Sequence, residues 1–316
     1  MRAVEIHEGT LRIVEQENPR PGPRDVVIAV RAAAINGADL MQLQGFYPAP
    51  PGWPQDIPGL EMAGVVTSVG DDVHESLMGR RACGIVGGGA QATHCSIPVE
   101  HLIFVPESVN WNEAGGFAEA FTTAHDALVT QGQLESGARV LISGASGGVG
   151  TAAVQIAHAL GAYVIAVTRS PDQHDALRSL GADETIRLED VTSLAPVDVV
   201  LELVGAKHLE LAQQVLAPFA RVVVIGVGNG GGRMHIDLHA MMSRRATFTG
   251  STLRSRSREE KSIVIDRVNE ALVPLWTTGD LRVPLARAFA LDDASQAYEY
   301  FGQPGKLGKV VLVIEQ

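Results

Sequence analysis

The alternation of apolar and polar positions first identifies a β-rich region. Apolar stretches over 11–15, 25–34 and 63–69 are separated by the turn-forming segments NPRPGPRD and YPAPPGWP. Short apolar runs bounded by proline and glycine are typical of strands. We therefore predict a β-rich domain in the first third of the chain.

From residue 139 onward the pattern changes to strand, turn and helix in alternation. RVLIS is followed by helical periodicity over 151–160, then by YVIAVT and a helix that runs through Leu180. The later segments VDVVLELV and RVVVIGV are almost continuously apolar, which suits parallel strands covered by helices on both faces. The pattern predicts an α/β fold with a doubly wound parallel sheet.

The β-rich pattern returns near the end of the chain. After ATFTGST come a basic stretch over 254–258, a predicted helix over 259–278 and the alternating strand KVVLVI. A nucleotide-binding domain inserted into a second domain explains this order. We predict one domain from residues 1–122 and 258–316, and another from residues 123–257.

Composition restricts the partners of the protein. The chain has 36 acidic and 25 basic residues and a formal charge of −11, so no general attraction to nucleic acid or anionic lipid is expected. Cys83 and Cys95 are expected to be reduced thiols. The start MRAVEIHEG lacks the apolar core of a signal peptide, and no apolar run approaches the ~20 residues of a membrane span. These features predict a cytoplasmic protein that acts on a small molecule.

The segment SGASGGVG predicts a dinucleotide site, because it follows an apolar strand and precedes a helix. Ala145-x-Gly147-x-x-Gly150 is a variant of the G-x-G-x-x-G pattern. Ala145 fits the tight turn, Gly147 lets the pyrophosphate approach the backbone, and Gly150 lets helix and strand pack closely. Free N–H groups and the helix dipole favour an anion there. The expected contacts are Ser146, Gly147, Gly148 and Val149.

The end of the second strand of this region predicts NADPH as the cofactor. Its residues are Thr168, Arg169 and Ser170, with no Asp or Glu to accept a ribose hydroxyl or to repel a 2′-phosphate. An arginine forms strong hydrogen bonds with a phosphate. Arg187 is either a second phosphate ligand or a surface residue.

Several segments together resemble the medium-chain dehydrogenase/reductase superfamily and, within it, the zinc-independent NADPH:quinone oxidoreductases of the zeta-crystallin type. They are AAAINGADLMQLQGFYPAPPG, IPGLEMAGVVTSVG, GGGAQATHCSIP, FAEAFTTAHDAL, the GASGGVG turn, TRSPDQHDALRSLGAD and GKLGKVVLVI. The resemblance implies a GroES-like β-rich catalytic domain around a Rossmann domain, and a cleft between them. It also implies a homodimer whose sheets join through residues 246–251.

Departures from the zinc-dependent relatives indicate that no metal is bound. Where those proteins have a cysteine and a His-Glu pair, this chain has Asn36-Gly37-Ala38-Asp39 and Gly59-Leu60-Glu61, and the four-cysteine lobe is missing. His235 and His239 have the spacing of a helical metal pair, but they lie in a glycine-rich stretch expected to be strand-like, without a third ligand. The family's usual tyrosine after the glycine-rich stretch is His94, whose role stays unassigned.

The resemblance also implies roles for residues outside the glycine turn. Asn36 would lie near the nicotinamide, and Tyr47 would contact the cofactor and assist the reaction. The structural alternative for Asn36 is a turn residue at the end of a strand, and that for Tyr47 is a loop residue packed among prolines. Asp39 is expected to cap the helix that follows it. The further cofactor contacts that it implies are Thr123, Val204, Gly226, Val227, Thr252, Leu253, Arg254 and Ser255.

These features predict reduction of a quinone by hydride from NADPH, since water can protonate the product oxyanion. The alternative is reduction of a 2-enoyl thioester or enone, because the GxYP context of Tyr47 resembles that of the superfamily's enoyl thioester reductases. Its phenol would then polarise the carbonyl or donate a proton. A third possibility is an NADPH-binding sensor or structural protein without turnover. Arg254, Arg256 and Arg258 are either solvated, or residues 252–255 contact the cofactor while Arg256 and Arg258 attract an anionic ligand such as a coenzyme A thioester.

Overall fold

The computed structural model describes residues 1–228 and 231–315, and it divides into two compact units. The first unit comprises residues 1–122 and 253–316, and the second comprises residues 123–252. The second crossing thus lies before Leu253, whereas the sequence placed it after residue 257. The reason is that the buried side chain of Arg254 donates hydrogen bonds to the carbonyl of Gly87 in the first unit.

The helices and strands follow the predicted order. The strands are β1 (Arg2–His7), β2 (Thr10–Glu15), β3 (Asp25–Ile35), β4 (Glu61–Val69), β5 (Arg81–Ile85), β6 (His94–Pro98), β7 (Leu102–Phe104), β8 (Arg139–Ile142), β9 (Tyr163–Val167), β10 (Glu184–Ile186), β11 (Val197–Glu202), β12 (Leu216–Val224), β13 (Thr247–Gly250), β14 (Leu285–Ala290) and β15 (Lys309–Val313). The α-helices are α1 (Gly37–Leu43), α2 (Trp111–Ala114), α3 (Ala118–His125), α4 (Gly148–Ala159), α5 (His174–Ser179), α6 (Ala206–Ala212), α7 (Leu238–Arg244), α8 (Arg258–Ala271), α9 (Val273–Thr278) and α10 (Ala294–Gly302). A π-helical segment, Asp126–Gln131, follows α3.

The first unit is built on a mainly antiparallel sheet with the strand order β14-β15-β3-β4-β5-β7, and β6 also pairs with β3. Strands β1 and β2 form a separate antiparallel pair. Strand β3 is central and buried at nearly every position. This explains why its sequence is almost continuously apolar rather than alternating. The predicted β-rich, GroES-like domain is confirmed.

The second unit is a parallel sheet with the strand order β10-β9-β8-β11-β12-β13. Strands β9 and β10 follow β8 on one side of the sheet, and strands β12 and β13 follow β11 on the other. A topological switch point therefore lies between β8 and β11, where open α/β sheets bind ligands at the carboxyl ends of their strands. The predicted doubly wound Rossmann sheet is confirmed.

The helix predicted over residues 259–278 is interrupted in the structure. Helix α8 ends at Ala271 and α9 begins at Val273, with Pro274 in its first turn. Proline has no N–H to donate and clashes with the preceding turn, so a continuous helix is disfavoured. In the described residues, no helix has both the length and the hydrophobicity to cross a membrane.

Candidate functional site

The glycine turn lies at the carboxyl end of β8, in the second unit. Gly144 has a φ of +58°, in the left-handed region that favours glycine. The N–H of Ala145 donates to the carbonyl of Val167 at 3.1 Å, and that of Gly147 donates to the carbonyl of Gly144 at 3.0 Å. Helix α4 follows directly, with a first helical bond of 2.8 Å from Thr151 to Gly147. Bonds within the turn and to β9 therefore fix its shape.

The beginning of α4 offers backbone donors to an anion. The first N–H groups of an α-helix have no acceptor within the helix and carry the positive end of its dipole. Here they include Gly148 and Val149, which are half-buried like Ser146, while Gly147 is exposed. The turn can therefore hold a pyrophosphate through its backbone.

Two glycines of the turn differ in how much room a side chain would have. A Cβ atom on Gly150 would lie 2.4 Å from the carbonyl oxygen of Gly144 and 2.6 Å from the Cα of Ala145. A Cβ atom on Gly147 would have only one neighbour, at an ordinary 3.5 Å. Gly150 is thus required for close packing of helix against turn, whereas Gly147 leaves open space for a ligand.

The residues predicted to bind the adenosine end lie at the carboxyl ends of β9 and β10. Thr168 is buried, donates from its hydroxyl to Gln173 at 2.7 Å, and accepts from the N–H of Ser170 at 3.3 Å. Arg169 is exposed and Ser170 is half-buried. The N–H of Thr168 donates to the carbonyl of Ile186, which places Arg169 and Arg187 just beyond the ends of adjacent parallel strands. Arg187 is exposed, with Glu189 at 3.7 Å.

Further predicted contacts follow β11 and β12 at the same edge of the sheet. Val204 donates its N–H to the buried carboxylate of Glu202 at 2.5 Å, and Gly205 does so at 2.6 Å. Burial raises the pKa of Glu202. A Cβ atom on Gly226 would lie 2.8 Å from the carbonyl of Leu203, while Val227 is exposed. The structure therefore brings these residues to the sheet edge that carries the glycine turn.

In the first unit, Asn36 belongs to a buried hydrogen-bonded cluster. Its side-chain N–H donates to Glu61 at 3.0 Å, and its side-chain oxygen accepts from Lys309 at 2.6 Å. Lys309 also forms an ion pair of 2.6 Å with Glu61, and both side chains are almost fully buried. The second oxygen of Glu61 accepts the backbone N–H of Glu119 at 2.8 Å. Each charge in this pair thus has hydrogen-bond partners, as a buried ion pair requires.

Two more carboxyl groups border this cluster. Asp39 accepts the N–H of Asn36 at 2.8 Å and that of Gly59 at 3.0 Å. Asn36 is the N-cap of α1 and Asp39 lies in its first turn, so Asp39 belongs to a capping box and does not cap a helix that follows it. Burial raises the pKa of Asp39 to about 7. Burial and the nearby charge of Glu61 also raise the pKa of Glu119 to about 7. Two carboxyl groups beside the cluster thus have pKa values close to neutral pH.

The donor set around Asn36 does not fit a zinc ion. Zinc in proteins needs at least three thiolate, imidazole or carboxylate ligands. Here Asn36 and Glu61 bind the ammonium group of Lys309, which would repel a cation. Within residues 1–228 and 231–315, no three His, Cys, Asp or Glu side chains are grouped to hold a metal. His235 precedes α7 in irregular backbone rather than the expected strand, and lies 3.4 Å from Glu210.

Tyr47 is held in place by Arg254, also within the first unit. The guanidinium group donates to the carbonyl of Tyr47 at 2.9 Å, to Gln42 at 2.6 Å and to Gly87 at 2.9 and 2.7 Å. It also lies 5.0 Å from the centre of the Tyr47 ring. Arg254 is 3% exposed, so its side chain fixes the backbone of Tyr47, and its predicted contact with the cofactor stays a prediction.

The remaining predicted residues divide between the two units. Thr123 is buried and Thr252 is exposed in the second unit, whereas Leu253 is buried and Ser255 is exposed in the first. His94 lies in β6, half-buried, and burial lowers its pKa. No contact of its side chain beyond Thr93 is seen among the residues described, so its role stays unassigned.

Four charged residues of the two sites were not predicted from the sequence, namely Lys309, Glu61 as its partner, Glu119 and Glu202. Lys309 and Glu61 are 248 positions apart, so no local spacing connects them. A usable signal was present in GKLGKVVLVI, where a lysine begins an otherwise apolar strand. Glu202 is similar, because it ends the apolar run VDVVLE. An ionisable residue at the end of a buried strand indicates a partner elsewhere in the fold.

Comparisons with known proteins agree with this geometry. The alcohol dehydrogenase GroES-like domain matches residues 22–133, and the zinc-binding dehydrogenase domain matches residues 148–270. The chain belongs to the medium-chain dehydrogenase/reductase superfamily. It is thus an oxidoreductase of a family that binds a nicotinamide nucleotide.

Two solved structures and one sequence relative illustrate the range of the superfamily. An NAD-dependent alcohol dehydrogenase superposes with a TM-score of 0.87 at 26% identity over all of both chains. A quinone oxidoreductase from Pseudomonas syringae pv. tomato DC3000 has a TM-score of 0.86 at 27% identity over 99% of both chains. A phenolphthiocerol/phthiocerol polyketide synthase protein from Mycobacterium tuberculosis is 30% identical over 97% of this chain. The chain spans only 14% of that synthase.

Proposed function

We propose that this oxidoreductase uses NADPH to reduce quinones or related conjugated carbonyl compounds by direct hydride transfer, without zinc. The observation that carries the proposal is the Asn36–Glu61–Lys309 cluster. The ammonium group of Lys309 donates to the oxygens of Asn36 and Glu61. These oxygens are therefore not available to bind a metal that would polarise an alcohol or an isolated carbonyl. A conjugated acceptor suits such a protein, because it delocalises the charge that the hydride brings.

The residues of the second unit would bind the nucleotide. The backbone N–H groups of Ser146, Gly148 and Val149 would hold the pyrophosphate, and Gly147 would leave room for it. Arg169 and Arg187, at the ends of adjacent strands, supply two positive charges for a 2′-phosphate. No carboxylate follows β9 directly to accept a ribose hydroxyl in its place. These features favour NADPH over NADH.

The residues of the first unit would orient the acceptor. The bound cofactor supplies the hydride. The amide of Asn36 uses one N–H and its oxygen within the cluster, and its second N–H can donate to a ligand oxygen. Tyr47 would donate from its phenol to the acceptor carbonyl, with Arg254 fixing its backbone. Two electrons and one proton arrive with the hydride, and a second proton from water completes a hydroquinone.

An acceptor panel tests this proposal. Purified protein is mixed with NADPH or NADH and with ortho-quinones, para-quinones, enones or simple aldehydes, and absorbance at the nicotinamide band is followed. We expect NADPH oxidation with the conjugated acceptors only, unaffected by prior treatment with a chelator. Turnover that needs added zinc would contradict the proposal. NADPH binding without oxidation by any acceptor would favour the sensor or structural role.

Reduction of 2-enoyl thioesters is a second candidate. One support is the hydrogen bond from Arg254 to the carbonyl of Tyr47, which fixes the loop that carries this phenol, a possible proton donor. The other is the similarity to a polyketide synthase. The variant Tyr47→Phe distinguishes the two candidates when its rates of quinone reduction and of enoyl thioester reduction are compared with those of the parent. Loss of enoyl thioester reduction with quinone reduction retained would assign the phenol to polarising the thioester carbonyl or to protonating the α-carbon of the enolate that hydride addition forms. Equal loss of both would assign it to binding.

We also propose that the protein is a homodimer through residues 246–251. Strand β13 is at the edge of the second unit's sheet and pairs only with β12 in the part of the chain described. Because Ser251 donates to Val224, alternation along the strand directs the N–H of Gly250 to the open edge. A Cβ atom on Gly250 would meet nothing closer than 4.0 Å.

The variant Gly250→Pro tests the dimer, because it removes an outward N–H while leaving the pairing with β12 intact. Sedimentation velocity should give a dimer for the parent and for the control Thr249→Val, and a monomer for Gly250→Pro. A monomeric parent, or a dimeric Gly250→Pro variant, would contradict this assembly.

A further inference from the structure

A cavity of about 380 Å³ lies within the first unit. Its apolar lining includes Trp53, Pro54 and Ile57, and its polar lining includes His101 and Lys261. Neither Asn36 nor Tyr47 lines it, and none of the described residues of the second unit does. The proposed reduction therefore leaves this cavity without a role.

Lys261 gives the cavity an unbalanced positive charge. The side chain is 5% exposed, and its ammonium group donates to the backbone carbonyl of Arg254 at 2.9 Å. Among the described residues, no carboxylate forms an ion pair with it. Glu119 acts on it only through its electrostatic field, and burial lowers the pKa of Lys261. A buried charge without a counter-ion is costly, so this site favours an anion from outside.

The other charged groups of the lining do not cancel this charge. Asp25 is the acidic residue of the lining, and it is already paired with Arg258 at 3.0 Å. Arg258 also binds Glu100 at 2.6 Å. Arg256 also lines the cavity. The lining is therefore cationic at Lys261 and apolar at Trp53.

His101 adds an unsatisfied polar atom to the same lining. It is 2% exposed, and its Nε2 lies 3.1 Å from the carbonyl of Arg258, which makes Nε2 the donor. Burial lowers the pKa of His101, which favours the neutral ring, and in a neutral ring whose Nε2 donates, Nδ1 is an acceptor. Within residues 1–228 and 231–315, this Nδ1 has no hydrogen-bond partner. An acceptor can pair only with a ligand O–H or N–H, so this atom favours the monoanion of a phosphate monoester, which retains an O–H, over a carboxylate, which has none.

We propose that the cavity binds an organic anion, a carboxylate or phosphate monoester on a flat apolar body, whose charge pairs with Lys261. Arg256 provides a second cationic contact, and Trp53 contacts the apolar body. The volume suits a ring with one anionic substituent. Since Lys261 holds the backbone of Arg254, and Arg254 holds Tyr47, an occupied cavity also stabilises the Tyr47 loop.

Benzoate, phenyl phosphate and the neutral benzyl alcohol are the probes for this site. Each is titrated into the full-length protein, followed by calorimetry and by tryptophan fluorescence. We expect saturable binding of one or both anions, with benzyl alcohol weaker by about tenfold or more, as loss of a charged hydrogen bond implies. The stronger of the two anions identifies the natural group as carboxylate or phosphate. Equal binding of benzyl alcohol would overturn the anion site.

Substitutions in the lining test whether the anion binds at Lys261. Lys261→Met keeps the length of the side chain but removes its charge, and should weaken the preferred anion by about tenfold or more. Arg256→Gln provides a second test, independent of any effect of Lys261→Met on folding. The matched control Arg267→Gln removes an exposed arginine from the same helix as Lys261 and should change nothing. Unchanged affinity in both cavity variants would overturn the proposal.

Saturating NADPH separates this site from the proposed nucleotide site. The same titrations are repeated with the nucleotide present, and binding of the preferred anion should continue. Displacement of the anion by NADPH would mean that the cavity receives the nucleotide itself, which would overturn a separate site. Because no turnover is measured, failure of this proposal is distinguishable from failure of the proposed reductase activity.

Discussion

The glycine turn and the Asn36–Glu61–Lys309 cluster use opposite physical means to prepare a site. The turn, from Gly144 to Gly150, relies on backbone N–H groups and on the absence of side chains, and its parts are adjacent in sequence. The cluster relies on two buried charges whose partners come from the start of α1, from β4 and from β15. The first is a local device, and the second depends on the whole first unit.

This difference determines how each region responds to change. A backbone site is damaged by adding atoms, because a new Cβ either displaces the main chain, as at Gly150, or occupies the space that the ligand needs, as at Gly147. A buried ion pair is damaged by removing atoms, because the remaining charge loses its partner and cannot regain water. Substitutions in the two regions should therefore differ in the size of the effect and in the property they affect.

The largest effect is expected from Lys309→Met, which leaves Glu61 buried without its counter-charge. Breaking a buried pair in this way costs about 3–5 kcal/mol of stability. Trp53, Trp111 and Trp276 are the three tryptophans and all belong to the first unit, so urea unfolding followed by their fluorescence reports on this unit.

The matched control for Lys309→Met is the double variant with Glu61→Gln. It removes both charges and should recover part of the lost stability, because the desolvation cost of the lone carboxylate disappears. A single variant as stable as the parent would show that the cluster does not stabilise the first unit.

A smaller effect, on binding as well as stability, is expected from Gly150→Ala. Its Cβ would lie 2.4 Å from the carbonyl oxygen of Gly144, so the turn must shift. Overpacking of this kind costs about 1–3 kcal/mol, and NADPH affinity should fall with it.

Gly147→Ala is the informative comparison for Gly150→Ala. Its Cβ has room in the protein but occupies the space predicted for the pyrophosphate. It should keep the parent's melting temperature and lose NADPH affinity, measured by nucleotide fluorescence. Unchanged NADPH affinity in both variants would contradict a nucleotide site at this turn.

The same contrast explains what the sequence could predict. The turn was found in full because strand, glycines and helix lie within a dozen or so positions, and each glycine has a local reason. The cluster was recognised only as a departure from a zinc site. Its ion pair joins Glu61 to Lys309 across 248 positions, which no periodicity encodes.

Arg254 shows the same limit of local inference. The family resemblance implies that it contacts the cofactor, and this contact stays a prediction. The structure buries it against Gln42, Tyr47 and Gly87, and it binds Gln42 across 212 positions. The break between α8 and α9 differs from Arg254, because its cause is local. Pro274 disfavours a continuous helix and can be read directly from the sequence.

Arg169→Ala is expected to change nucleotide preference by about 1.5–3 kcal/mol, the strength of a hydrogen bond to a charged group. NADPH binding should weaken by that amount, and NADH binding should stay the same, because NADH lacks the 2′-phosphate. The matched control is Arg178→Ala, also an exposed arginine of the second unit. A preference that is equal in Arg169→Ala and the parent would refute the assignment of Arg169.

The smallest effect is expected from Glu119→Gln, and it depends on pH. The pKa of Glu119 is raised from 4.5 to about 7 in the folded protein, first by burial and then by Glu61. A raised carboxyl pKa means that the folded state holds its proton more tightly than the unfolded state does. Its contribution to stability is therefore complete below about pH 4.5 and is lost as the pH rises through 7.

An amide cannot ionise, so Glu119→Gln should match the parent near pH 4.5 and be more stable than the parent at pH 8. The expected gain is about 1–2 kcal/mol, which is less than the full shift implies because the side chain is partly exposed. Tryptophan-monitored urea unfolding at several pH values measures it, with the exposed Glu270→Gln as control. A gain in the free energy of unfolding that is the same at pH 4.5 and pH 8 would mean that the substitution acts through packing and not through ionisation of Glu119. A pH-dependent gain would show that the cluster differs from the glycine turn in its charge as well as in its construction.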